Sequence, residues 1–384
     1  MQFEFSTASK IIFGPGKFKS IGDITEKLGN KCLIICGAPQ DHLKKLLKIL
    51  DAMSIMYETY MITHEPTVNM IQEYVRDTRK TKVDVIIGIG GGSALDTAKA
   101  IAALKTNPGD LTDYLEVIGL KKPLSFPSIP LVAIPTTAGT GSEVTKNAVI
   151  SIPTHKVKVS LRSDFLLPSI ALIDPELTIS LPQKLTATTG LDALTQLIEA
   201  YTCKNPNPII DSLCLDGIKR ISRSIFKAFD DGNDLSARED MCLASLLSGI
   251  ALANAKLGAV HGLAGPIGGL ISASHGSICA SLLSNVMSAN IHALQDRNPN
   301  HPVLERYTQV SRVLNQDPMA LTDSGINWVH NFCLHSDIQH LSSLGLSEAH
   351  FEGLIESAQR SSSMKGNPIT LFKHEIRRIL QESL

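Results

Sequence analysis

Over the first part of the chain, short apolar runs alternate with amphipathic stretches. The run "KCLIICG" (31–37) reads as a buried strand and leads into the helical "DHLKKLLKIL". "YETYMIT" (57–63) precedes the helical "VNMIQEYVRDTRK", and "VDVIIGIG" (83–90) precedes "SALDTAKAIAAL". "SIPLVAIP" (128–135) is a fourth strand run. Strand–helix alternation of this kind predicts a parallel sheet covered by helices. "NAVISIPTHKVKVSLRS" (147–163) breaks the pattern and reads as two strands around "PTH"; "IALIDP" (170–175) adds one more. From about residue 178 the β-branched runs give way to Leu and Ala at helical spacing, as in "LDALTQLIEAYT" and "DMCLASLLSGIALANA". Pro175 and Pro182 bracket the change. The expected architecture is an α/β N-terminal domain with a mainly parallel sheet (1–177) and an all-α C-terminal domain (178–384).

Composition narrows the classes of function. A chain of 384 residues exceeds one compact core, so two domains are expected. Lys plus Arg is 36 and Asp plus Glu is 37, a balance that gives no electrostatic case for nucleic acid or an anionic membrane. No apolar run is long enough to span a bilayer. The start, "MQFEFSTASK", lacks the apolar core of a signal peptide. The seven cysteines include no CxxC, and Cys32 and Cys36 share one apolar strand as core thiols. A cytoplasmic, reducing location is expected.

Two glycine-bearing loops follow apolar strands. In "GIGGGSALDTAK" (88–99), Gly90, Gly91 and Gly92 remove side chains where backbone N–H groups could approach an anion, and the helix that follows adds favourable partial charge. Ser93 is placed to cap that helix, and it replaces the last glycine of the usual dinucleotide fingerprint. A tight turn without a ligand is the bland alternative. "PTTAGTGSEVT" (135–145) offers Thr hydroxyls and Ser142, with Gly139 and Gly141 for close approach. Two donor-rich loops at strand ends suit a ligand with two or more phosphates, seated at the strands' C-terminal ends.

The segments "GGGSALDTAK", "PTTAGTGSEVTKNAV", "DPEL", "GLDALTQLIEAY", "GAVHGLAGPIGGL…SHG" and "SSSMKGNPI" resemble, in order and spacing, the iron-containing (group III) alcohol dehydrogenase family. The resemblance implies a dehydroquinate synthase-like fold and nicotinamide-dependent interconversion of alcohols and carbonyls. Carried over by motif, Gly90, Gly91, Gly92 and Ser93 hold the pyrophosphate, with Asp96 on the next helical turn. Thr136, Thr137, Thr140 and Ser142 line the cofactor site, and Asn147 and Lys158 contact the ribose region. Family members selective for NAD tend to end the first strand with Asp. Here that position is Gly37, which is expected to leave an uncharged pocket tolerant of NADP as well as NAD.

Asp192 and Gln196 stand four apart on a predicted helix and share a face. The resemblance implies a divalent metal, Fe²⁺ or Zn²⁺, held by an Asp and three His. Asp192, His261 and His275 match, and Gln196 replaces the remaining His. An amide oxygen is a poorer donor than imidazole, so weak metal retention is expected, with Gln196 as a weak or water-mediated ligand. The related glycerol dehydrogenases use one Asp and two His. The related maleylacetate reductases work without metal, and on that alternative Gln196 would donate a hydrogen bond to the substrate. Family members often carry a further His four residues after the first of the two; Gly265 stands there, which implies a roomier, less polar pocket.

The expected chemistry is hydride transfer between the nicotinamide and a small-molecule carbonyl, favouring reduction, with the metal polarising the carbonyl. The resemblance also implies a homodimer. The alternatives are a metal-independent reductase, a lyase similar to dehydroquinate synthase, and a non-catalytic nucleotide-binding protein. The lyase lacks support because "GAVHGLAGPIGG" carries no cluster of basic residues for a phosphorylated substrate.

Overall fold

The computed structural model describes residues 2–116, 118–155 and 157–384. Lys156, inside the expected two-strand segment, lies outside the described residues. Contacts divide the chain into two compact units, Ser6–Ser180 and Leu181–Leu384, with the residues before Ser6 grouping with the second.

In the first unit the strands are β1 (Lys10–Phe13), β2 (Lys31–Cys36), β3 (Met56–Met61), β4 (Val85–Gly90), β5 (Leu131–Pro135), β6 (Asn147–Ile152), β7 (Val157–Arg162) and β8 (Ile170–Ile173). The helices are α1 (Ile21–Glu26), α2 (Gln40–Ala52), α3 (Val68–Thr78), α4 (Gly92–Thr106) and α5 (Leu111–Tyr114). Six strands form one parallel sheet in the order β1-β8-β5-β4-β2-β3. The antiparallel pair β6–β7 stands as a separate two-stranded sheet.

The sequence of β2 shows why this sheet is covered on both faces. Successive side chains of a strand point to opposite sides. Leu33 and Ile35 enter one core with Ile86, Ile71 of α3 and Ala98 and Ile101 of α4. Cys32, Ile34 and Cys36 enter the other with Val85, Ile87 and Leu46 and Leu50 of α2. A central strand buried on both faces must therefore be apolar throughout, as the runs in β2 and β4 are. Strand β1 was not expected from the sequence. It has four residues, half of them exposed, at the sheet's edge, so it carries no apolar pattern to read.

The second unit is helical: α6 (Gln183–Thr202), α7 (Pro208–Asp230), α8 (Leu235–Asn254), α9 (Ala259–Leu270), α10 (His275–Arg297), α11 (Val303–Asn315), α12 (Ser324–His335), α13 (Phe351–Arg360) and α14 (Lys373–Glu382). Helix α6 is enclosed by α7, α8 and α10. Its polar residues Asp192, Gln196 and Glu199 are consequently buried with its leucines. No single helix among the described residues is long and apolar enough to cross a membrane.

Helix α10 can approach α6 because Gly276 lacks a side chain: a Cβ there would lie 2.7 Å from the carbonyl oxygen of Thr188. Gly276→Ala should force the helices apart and destabilise the protein by about 1–3 kcal/mol, the usual scale of overpacking. Urea unfolding of chelator-treated protein measures this directly; an unchanged midpoint would contradict the close approach.

Candidate metal centre and cofactor cradle

Parallel neighbours β4 and β5 end side by side, so the loops that follow them meet. The Thr136 N–H donates to Gly90 O at 3.0 Å. Gly90 adopts φ 145°, and a Cβ there would lie 2.9 Å from both the Ala94 Cβ and the Gly37 carbonyl carbon. Added Cβ atoms at Gly91 and Gly92 would approach the methyl groups of Thr137 and Thr140 at 3.3 and 2.9 Å. The two loops are thus brought into contact, and Gly90, with its positive φ and backbone neighbour, is the position that most requires glycine.

Ser93 does not cap α4. The helix begins one residue earlier than expected, at Gly92, with Gly91 as its N-cap and no side-chain capping bond. A glycine cap leaves the positive end of the helix without a side-chain acceptor, which suits a phosphate group. Asp96 accepts from Ser142 Oγ at 2.6 Å and from the Val149 N–H at 2.9 Å, so it ties the second loop to α4. Buried Lys99 reinforces this tie by donating to Ser142 Oγ and Thr145 Oγ1, both at 2.7 Å. Asn147 Oδ1 is buried with no hydrogen-bond partner, an acceptor left for a donor such as a ribose hydroxyl. Lys158 pairs with Glu65 at 2.7 Å. Gly37 packs tightly: a Cβ there would lie 3.0 Å from the Ala94 Cβ and 3.4 Å from Ile62 O. Gly37 is nonetheless exposed and puts no charge at this strand end.

In the helical unit, Asp192, His261 and His275 come together from α6, the first turn of α9 and the first residue of α10. Asp192 Oδ1 is 3.8 Å from His261 Nε2 and 3.7 Å from His275 Nε2. The Asp192 and His261 side chains are only 3% and 8% exposed, while His275 is 40% exposed and opens the group to solvent. Asp192 Oδ1, His261 Nε2 and Gln196 Oε1 are all buried without a hydrogen-bond partner. A buried carboxylate oxygen and a buried imidazole nitrogen without partners are costly unless something fills the gap between them. One divalent cation would satisfy both, so these residues fit a metal. Gln196 directs its amide Nε2 to Asp192 Oδ2 at 3.4 Å. Its Oε1 is the end without a partner.

Two residues of the site escaped the sequence reading. Glu199 lies seven positions after Asp192, two turns along the same face of α6. It accepts from His261 Nδ1 at 2.7 Å and from the Val260 N–H at 2.7 Å, with a longer bond from the His261 N–H at 3.4 Å. It therefore caps α9 and fixes the His261 proton on Nδ1, leaving Nε2 as the free donor atom. Burial opposes protonation of His261, but the hydrogen bond and charge of Glu199 and the charge of Asp192 outweigh it and raise its pKa above 6.5. The second residue is Cys279, one turn beyond His275 on α10. Its sulfur is 3.6 Å from His275 Nε2. The ligand atoms of Asp192, His261, His275 and Cys279 all lie within 4.8 Å of one another. Asn367, in the C-terminal "SSSMKGNPI", supports the same region through its Oδ1, which accepts the Ala259 N–H at 3.1 Å.

Glu199→Gln should cost about 10–100-fold in metal affinity, the usual effect of removing the group that orients a ligating histidine. Equilibrium dialysis against zinc would show it, and undiminished affinity would contradict the assignment. Metal binding needs neutral imidazole. Because the pKa of His261 is raised, protons compete for Nε2 more strongly than at an ordinary imidazole, so metal affinity should weaken as the pH falls. Metal content after dialysis across a falling pH series gives the sign.

Comparison with known proteins shows the family. The family model for iron-containing alcohol dehydrogenase matches residues 8–175, and that for the C-terminal part of the Fe-containing alcohol dehydrogenase family matches 186–384. The chain is 34% identical to the 1,3-propanediol dehydrogenase of Citrobacter freundii, over 99% of this chain and 98% of that protein. Among solved structures, a 1,3-propanediol oxidoreductase superposes with a TM-score of 0.91 at 32% identity, covering both chains completely. A sulfoacetaldehyde reductase from Bifidobacterium kashiwanohense, solved with NAD⁺, gives 0.86 at 26% identity over 100% of this chain and 99% of its own. The chain belongs to the iron-containing alcohol dehydrogenase family and is a nicotinamide-dependent oxidoreductase of alcohols and their carbonyl partners.

Proposed function

We propose that this dehydrogenase reduces a small aldehyde or ketone, with Asp192, His261 and His275 as the residues that hold its divalent metal. The observation that carries the reading is the pair of unpartnered buried atoms, Asp192 Oδ1 and His261 Nε2, beside His275. A bound cation at this point supplies Lewis acidity to a carbonyl oxygen, and bound NADPH or NADH supplies the hydride. The protein's own residues do the positioning. Glu199 holds the His261 ring with Nε2 presented, and Gln196 steadies Asp192 while keeping its own Oε1 free. Gly265, one turn past His261, has no atom within 4 Å of where its Cβ would be, so substrate has room on that side.

In this reading the N-terminal domain (1–177) binds the dinucleotide and the helical domain (178–384) binds metal and substrate. The α4 N-terminus with Gly90, Gly91, Gly92 and Ser93 takes the pyrophosphate. Thr136, Thr137 and Thr140 line the cradle, and Asn147 Oδ1 accepts from a ribose hydroxyl. Asp96 and Ser142 act mainly by fixing the second loop, and Lys158 reaches the ribose region while paired with Glu65. A homodimer in a reducing, cytoplasmic compartment completes the proposal. None of the described cysteines forms a disulfide.

The test is net oxidation of NADPH and NADH against a panel of short aldehydes and ketones. Stoichiometric, steady consumption is expected with at least one of them, and tight cofactor binding without turnover would contradict the proposal. Cofactor choice is tested at Gly37. Gly37→Asp alone meets the Ala94 Cβ, so the informative protein is the Gly37→Asp, Ala94→Gly double variant. Its carboxylate would face a 2′-phosphate and should lower the NADPH/NADH ratio of kcat/KM by roughly tenfold. An unchanged ratio would mean that this strand end does not meet the adenine ribose.

A further inference from the structure

The donor set at the metal centre is short of one strong ligand, and α10 places a thiol beside the gap. Cys279 is completely buried at the group formed by Asp192, His261 and His275. It sits four residues after His275, so the two side chains leave the same face of α10. The other residue near the gap, Gln196, has its amide nitrogen on Asp192 and offers only a neutral oxygen. Resting on the metal-centre reading above, we infer that Cys279 is the fourth protein ligand of the metal, taking the place that Gln196 fills only weakly, and that the completed donor set suits Zn²⁺.

Distances support this assignment. With Zn–N and Zn–O bonds near 2.0–2.1 Å and Zn–S near 2.3 Å, the edges of a tetrahedral site are about 3.3–3.6 Å. The three separations here are 3.6 Å from Cys279 sulfur to His275 Nε2, 3.7 Å from His275 Nε2 to Asp192 Oδ1 and 3.8 Å from His261 Nε2 to Asp192 Oδ1. These are three of the six edges of such a site; the other three lie within 4.8 Å, and inward rotation of the side chains is needed to close the set around one ion. Asp192 Oδ1 and His261 Nε2 independently point to a ligand, since both are buried without a partner. Thiolate with two imidazoles and one carboxylate is a donor set that zinc accepts well. On binding, the Cys279 S–H proton leaves to solvent as the sulfur–metal bond forms. With four protein ligands, substrate would reach the ion by expansion to five-coordinate, as some zinc sites allow. Gln196 then serves to hold Asp192 rather than to bind metal.

The experiment is zinc K-edge X-ray absorption on the zinc-loaded full chain, its Cys279→Ser variant and its Gln196→Ala variant, with zinc affinity measured alongside. The wild type should show one sulfur scatterer at about 2.3 Å beside nitrogen and oxygen at about 2.0–2.1 Å. That scatterer should vanish in Cys279→Ser and remain in Gln196→Ala. Zinc affinity should fall at least roughly tenfold in Cys279→Ser. The wild-type spectrum needs no variant to fold. One tightly bound zinc with nitrogen and oxygen scatterers only would overturn the inference and leave the metal centre standing. A sulfur scatterer that persists in Cys279→Ser would overturn it equally, by assigning the sulfur to another thiol. Failure to bind one zinc per chain would overturn the inference, and failure to bind Fe²⁺ as well would overturn the metal-centre reading.

Discussion

A carboxylate taken almost wholly out of water must meet compensating charge, and Asp192 is that carboxylate here. Its side chain is 3% exposed and its Oδ1 has no hydrogen-bond partner. Leaving such a group ionised and unpaired costs several kcal/mol. The surrounding architecture creates the condition deliberately. Helix α6 is enclosed by three others, so a polar residue on its inner face cannot reach solvent. The same enclosure aims two imidazoles from two other helices at one oxygen. A cation resolves the whole arrangement at once.

The neighbouring residues are arranged to keep the donors fixed. Glu199 accepts from the backbone at the start of α9 and from the imidazole of His261, so capping the helix and orienting the imidazole are one interaction. Gly276 lets α10 approach α6 closely enough for His275 to face Asp192. At the cofactor cradle the same economy appears. Glycines bring two loops together, and Asp96 with Lys99 locks the second loop to the helix that opens the first. Both sites are therefore held by secondary structure rather than by free loops, which is what a positioned hydride transfer requires.

Much of the fold was legible in the sequence because a parallel sheet buried on both faces has to be written as continuous apolar runs. Strands β2, β4 and β5 carried that signal, whereas β1, four residues at an edge, had nothing to distinguish it. Loop motifs were visible from their glycines and hydroxyls and Asp192 with Gln196 from their four-residue spacing, whereas His261 and His275 were marked by the resemblance to the family's metal ligands. Glu199 and Cys279 were not. A Glu on a helix reads as a solvated residue until its face is known to be buried, and a Cys in "HGSICASLL" reads as core. Their significance lies in contacts across helices, which no local pattern encodes. The start of α4 shows the converse error. A serine at a loop–helix junction reads as a cap, but the glycine before it already begins the helix and leaves the end uncapped. Gly37 differs again: it was read as an absent charge, and the structure shows that it also accommodates Ala94.

The central claim is that the group at Asp192 works through a bound metal. Its most direct test is carbonyl reduction by the fully chelated protein, followed during titration with Zn²⁺ or Fe²⁺. The account predicts that activity falls to background as metal is removed and returns in proportion to added metal, saturating at one ion per chain. Full activity at undetectable metal would contradict it.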